Sequence, residues 1–134
     1  QNVCFALPNS TGFGAVMATN GSQSVANQDL GFTVSSLPQD SFGFLLMSQN
    51  EVTQPGFGGG QGTLCIGEPC FRFSNTVQNS GILGEVAFAP DFGNLPMGQQ
   101  FIEAESWVFQ YWFRDANPQP TSNTSSALRV TFCR

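Results

Sequence analysis

Residues 105–115 read ESWVFQYWFRD and hold both tryptophans of the chain, its only tyrosine and two of its phenylalanines. Side chains alternate between the faces of a strand, so Trp107, Phe109, Tyr111 and Phe113 would share one face and Val108, Gln110, Trp112 and Arg114 the other. The first set is a core face. The second mixes polar groups with one very large ring, and two readings fit it. In one, Trp112 lies under a neighbouring element with Arg114 stacked on it from two residues away. In the other, Gln110, Trp112 and Arg114 form an exposed platform that stacks on a sugar ring or a partner subunit.

Outward from this stretch, short β-type runs alternate with turn clusters, and no window sustains a helical apolar period. The expected strands are Ala15–Thr19, Ser24–Asn27, Leu30–Ser36, Phe42–Ser48, Thr63–Ile66, Phe71–Phe73, Glu85–Ala89, Ser106–Arg114 and Ala127–Cys133. PNSTG, NGS, LPQDS, QPGFGGGQG, NSG, LPMG and DANPQPTSN separate them, each with Gly, Pro, Asn or Asp to supply turn dihedrals. The expectation is an all-β fold: one domain, residues 1–134, built as a two-sheet antiparallel β-sandwich (Ig-like or jelly-roll-like) and stapled by disulfides. Leu30–Ser36, Phe42–Ser48 and Ser106–Arg114, long and apolar, are expected at its centre.

Composition excludes whole classes of chemistry. The chain contains no Lys and no His, and charged residues make up 10% of it against about 25% in typical soluble domains. Without His there is no imidazole zinc ligand and no Ser/His or Cys/His nucleophile pair. A formal charge of −5 with only four Arg argues against nucleic acid, whose phosphates need clustered cations. The longest strongly apolar run, FGFLLM at 42–47, is far short of the ~20 residues of a membrane-spanning helix. The chain opens without a basic and apolar leader, so any signal peptide is expected to have been removed, leaving Gln1 as a mature terminus.

Cysteines stand at 4, 65, 70 and 133, with no CxxC pair. An even count in a small chain lacking His favours disulfides and an oxidising, extracellular setting. Of three possible connectivities, Cys65–Cys70 with Cys4–Cys133 is expected, because LCIGEPC carries a Gly and a Pro that can fold the short loop back.

Other motifs carry less. GFGGGQG at 56–62 has no following Lys and leads into the strand-like TLCIG, so it reads as a mobile surface loop, not a phosphate cradle. Asn9, Asn20 and Asn123 begin glycosylation-type triplets in a chain rich in Ser and Thr. Glu103, Glu105, Asp115 and Asp29 are the carboxylates from which a glycosidase pair would have to come, but no spacing sets two of them across a cleft. Asp29, Asp91 and Asp115 are isolated and suit turn capping better than calcium. The reading is therefore non-enzymatic, without cofactor or metal.

NSTG at 9–12, NQDLGFTVSSLPQDSFGFLLMS at 27–48, LCIG at 64–67, Arg72, WVFQYWFRD at 107–115 and SSALRVTF at 125–132 together resemble a domain found, often C-terminally, in large secreted and cell-surface proteins of planctomycete-type environmental bacteria. The resemblance spans nearly the whole chain and implies a secreted sandwich domain, with no ligand attached. Val108 stands where that pattern usually has a polar residue and Phe113 where it often has tyrosine, so this strand is drier than its relatives.

Natural sheets guard their edges with Lys and other charges, and this chain has few. The expected function is a non-catalytic extracellular structural module that self-associates or attaches to a surface, as a filament or surface-layer subunit. The alternative is a carbohydrate-binding module with a polysaccharide partner. In QNVCFALP, Val3, Phe5 and Leu7 alternate with Asn2, Cys4 and Ala6, which suggests a terminal strand that either completes its own sheet or pairs with a neighbouring subunit.

Overall fold

Ser106–Ala116 forms the longest strand, and the largest sheet is built around it. The computed structural model describes residues 1–134. Its strands are β1 (Asn2–Cys4), β2 (Val16–Asn20), β3 (Gly31–Ser35), β4 (Phe42–Ser48), β5 (Glu51–Pro55), β6 (Thr63–Ile66), β7 (Phe71–Arg72), β8 (Gln78–Asn79), β9 (Val86–Phe88), β10 (Ser106–Ala116), β11 (Pro120–Thr124) and β12 (Ala127–Thr131). The main sheet runs β1-β12-β10-β4-β7, with β8 also on β4 and β11 also on β10. Strand β12 covers the first half of β10, from Ser106↔Thr131 to Phe109↔Leu128. Strand β11 covers its second half, from Trp112↔Thr124 to Ala116↔Pro120.

A second sheet, β2-β3-β9, packs on one face of the main sheet. Trp107, Phe109, Tyr111 and Phe113 all point into this interface and are buried with Phe32, Val34, Val86 and Phe132. Phe32 meets Phe109 with ring centroids 4.7 Å apart, and Phe88 meets Tyr111 at 6.1 Å. Each such buried aromatic contributes on the order of 2–3 kcal/mol of transfer free energy. Gly43 on β4 is required by this packing, because a Cβ there would come within 2.7 Å of the Tyr111 ring and collide with the Trp112 carbonyl. The expected disulfide-containing all-β sandwich is thus present, with Phe42–Ser48 and Ser106–Arg114 central as anticipated.

The sandwich carries a third layer. The β5-β6 hairpin lies across the other face of the main sheet and buries Leu64, Cys65 and Ile66 against Leu46, Val108 and Ala127. Its turn is the glycine-rich segment. That segment is not free: Gln61 N–H donates to the Ser122 carbonyl at 2.8 Å, and Gln61 and Asn117 exchange two further hydrogen bonds.

Strands β5 and β11 were not expected, since EVTQP is polar and PTSNT has turn composition. Conversely, Ser24–Asn27 is a turn with only an isolated bridge to Cys133. There the Ser24 carbonyl and hydroxyl accept from Gln28 and Asn27 N–H, a local competition typical of Ser and Asn.

The disulfide pattern also differs. Cys4 bonds Cys65, with Cα atoms 6.7 Å apart, while Cys70 and Cys133 are free thiols. Strands β1 and β12 are neighbours, but Cys4 lies opposite Ala127. Cys133 is six residues further along, on the order of 20 Å away at the strand rise of ~3.3 Å per residue. Cys4 instead faces the hairpin layer, where Cys65 waits, so the partner expected for Cys70 is taken.

Candidate functional site

The outer face of β10 was the first candidate. Gln110 is fully buried beneath the hairpin and its amide is saturated. Cys65 N–H donates to Oε1 at 2.9 Å, and Nε2 donates to the carbonyls of Thr63 and Ser125, each at 2.9 Å. It cannot offer a hydrogen bond to a ligand; it fastens the third layer to the main sheet. Around it the polar run 122–126 is buried as well. Ser125 Oγ accepts from Tyr111 N–H, Ser126 Oγ from Met17 N–H, and Thr124 Oγ1 donates to Thr63 O, all at 3.0 Å. These side chains supply the bonds that the ladder lacks where β11 gives way to β12.

Trp112 is half-buried. One face stacks on Phe44 at 5.2 Å between centroids, and the Arg114 guanidinium sits 4.8 Å from the ring centroid. A sugar ring would have to displace Arg114 to reach it. Arg114 itself is exposed, beside a shallow polar hollow of about 330 Å³ bounded by Gly58–Gly60 and Pro120–Ser122. No carboxylate pairs with it; the one ion pair of the chain joins Arg129 on β12 to Glu51 on β5.

The N-terminal edge is the second candidate. Val3 is half-buried against the hairpin cluster, as is Cys4. The expected alternation fails because the β1–β12 register shifts between Asn2 and Cys4. Phe5 and Leu7 leave the sheet and are exposed by 80% and 46%. They enter a turn closed by a bridge between Pro8 and Gly14, across which Phe13 and Val16 are 69% and 53% exposed. Four apolar side chains therefore stand in solvent on one short hairpin linking the outer strands of both sheets. The first charged side chain of the sequence is Asp29, so no charge from this segment guards either edge.

The aspartates each serve local structure. Asp29 accepts from the Ser22 hydroxyl and N–H, which lowers its pKa, and Asp91 accepts from Gly93 N–H. Asp115 accepts from the N–H groups of Ala116 and Ser10, pinning the 9–12 turn to the end of β10. Asn9 and Asn123 are buried, with side-chain amides donating to Ser36 and Pro8 carbonyls. In the folded chain neither is open to glycosylation. No three Cys, Asp or Glu side chains gather as a metal-ligand cluster, and no helix is long and apolar enough to cross a membrane.

No protein-family model, curated protein or solved structure matches the chain. Of the sequence candidates, the structure brings Trp112 and Arg114 together and removes Gln110 from the surface. It separates Val3 from Phe5 and Leu7, and leaves the latter two exposed on the same bridged segment as Phe13 and Val16, which were not singled out. The uncharged run 1–28 was the signal available for that group.

Proposed function

We propose that this chain is a non-catalytic, secreted structural module that associates with further copies of itself through its N-terminal edge. The observation that carries this reading is the exposure of Phe5, Leu7, Phe13 and Val16 on one uncharged hairpin, beside two edge strands that hold only three and five residues. Exposed apolar groups of this size favour burial at roughly 25 cal/mol per Å². Unguarded edge strands offer backbone hydrogen bonds to a second chain. A second copy is the favoured partner because the segment supplies no charged side chain of its own, and the one carboxylate bonded to it, Asp115, is engaged by the Ser10 and Ala116 N–H groups. A filament or packed surface layer is the form such association takes if the contact is heterologous.

Light scattering coupled to sizing, with negative-stain microscopy, tests this over a range of concentrations. Growth into oligomers or filaments that Phe13→Asp and Val16→Asp abolish supports it. A monodisperse monomer throughout overturns it. The polysaccharide alternative draws less support, since Gln110 is saturated and Trp112 is already packed by Phe44 and Arg114.

A further inference from the structure

Three of the four cysteines lie at one apolar cluster. Cys65 belongs to the group formed by Leu46, Leu64, Ile66, Val108 and Ala127, and both its bonded partner Cys4 and the free Cys70 pack against that group. Cys70 follows Cys65 by five residues, through a turn. Phe71, which follows it, pairs with Met47 on β4, next to the Leu46 on which Cys65 packs. The intervening turn is anchored by Gly67 N–H donating to the Asn50 carbonyl at 2.8 Å and by the Asn50 amide donating to the Glu68 carbonyl at 2.6 Å. Cys133 stands outside the cluster, bound through its backbone to Gln23 and Val25.

We propose that the Cys4–Cys65 bond is exchangeable within the chain, with Cys70 as the attacking thiol and release of β1 as the result. The Cys70 thiol gives its proton to water, and its thiolate attacks the Cys65 sulfur. The Cys65–Cys70 bond forms as the Cys4–Cys65 bond breaks, and Cys4 leaves as a thiolate that takes up a proton. Electrons and protons balance, so the step needs no oxidant or reductant. Burial pushes the Cys70 thiol pKa up; neighbouring Arg72 lowers it and Glu68 raises it. Exchange is accordingly slow at neutrality and quickens with pH, roughly tenfold per unit while the thiolate is scarce.

The consequence falls on β1. Apart from its disulfide, β1 is held by a shifted two-pair register with β12, by the mutual bonds of neighbouring Gln1 with Arg129 and by Val3, half-buried against the hairpin cluster. So short an edge strand has few other holds, and loss of the covalent tie lets the segment fray from its sheet. The exchange itself rests on the placement of three cysteines at one cluster. That the freed strand then pairs with a second copy rests on the self-association proposed above.

The test uses the full chain carrying Cys133→Ser, incubated from neutral to mildly alkaline pH, acid-quenched, alkylated and mapped without reduction. Label is expected on Cys70 at the start and on Cys4 later, with a Cys65–Cys70 linked peptide growing in step and faster at higher pH. Label confined to Cys70, while the same protein scrambles in denaturant, overturns the proposal. In a second arm, Cys4→Ser is oxidised with glutathione disulfide. An internal Cys65–Cys70 bond supports reach between the sulfurs, and two separately capped thiols refute it. Sizing of the exchanged form separates the readings: exchange without oligomers sinks self-association only, and oligomers without exchange sink this inference only.

Discussion

The side-chain oxygen of Gln110 on β10 accepts a 2.9 Å hydrogen bond from the backbone N–H of Cys65 on β6, so the residue expected to meet a ligand instead holds the hairpin layer to the main sheet. Its Nε2 donates to two carbonyls, one of which, Thr63 O, also accepts from Thr124 Oγ1, so Cys65 N–H and Ser125 O are the two backbone groups that depend on this amide. Gln110→Leu keeps the volume and removes every partner. At roughly 1–3 kcal/mol for each of these two buried groups left unpaired, the loss of unfolding free energy in urea is expected to be about 2–6 kcal/mol. Hydrogen exchange should accelerate first at Cys65. A change below about 1 kcal/mol would show that water takes over these bonds.

Tyr111 is the only tyrosine, and its hydroxyl is buried without a partner. Burial raises its pKa well above the ordinary range. The protonated phenol is thus favoured by the fold: its contribution to stability is complete below about pH 10, where an unfolded tyrosine titrates, and is lost as pH rises beyond that. Native protein taken above pH 10 should show no tyrosinate absorbance until it unfolds. Tyr111→Phe removes the unpaired hydroxyl and is expected to leave stability unchanged or raise it by up to about 2 kcal/mol.

The two tryptophans differ in environment. Trp107 is buried in the core, whereas Trp112 is half-exposed between Phe44 and Arg114. Trp112→Phe should leave a blue-shifted emission that acrylamide barely quenches, and Trp107→Phe the reverse. Equal quenching in both variants would contradict the full burial of Trp107 and the partial exposure of Trp112.

Gly43→Ala places a methyl group against the Tyr111 ring and the Trp112 carbonyl. Neither the packed ring nor the ladder backbone can retreat cheaply, and overpacking of this kind costs about 1–3 kcal/mol. Thermal unfolding is expected to shift down by several degrees; an unchanged midpoint would mean that β4 and β10 are further apart than described.

Cys4→Ser opens the one disulfide, which spans a sequence separation of 61. On the chain-entropy model this removes about 4 kcal/mol. Denaturation under non-reducing conditions should register it, while Cys133→Ser should change stability by less than about 0.5 kcal/mol because that side chain is exposed.

The sequence by itself determined the class of fold and the burial of one face of β10. Period-two alternation is a local property, and rings as large as Trp107, Phe109, Tyr111 and Phe113 have nowhere to go but a core. It also determined which chemistries are missing, because an absent His or Lys needs no folding to be read. Only tertiary structure decided the rest. Whether Gln110 meets water or a backbone depends on what crosses above it, and the crossing hairpin includes the polar strand β5, which has no apolar face to announce it. Strand β11 has turn composition, yet its Ser, Asn and Thr side chains are buried because they complete hydrogen bonds at a junction between strands. The disulfide followed the same logic: being on adjacent strands does not join Cys4 to Cys133, since register, set by pairing of the two ends of the chain, places Cys4 opposite Ala127 and under Cys65.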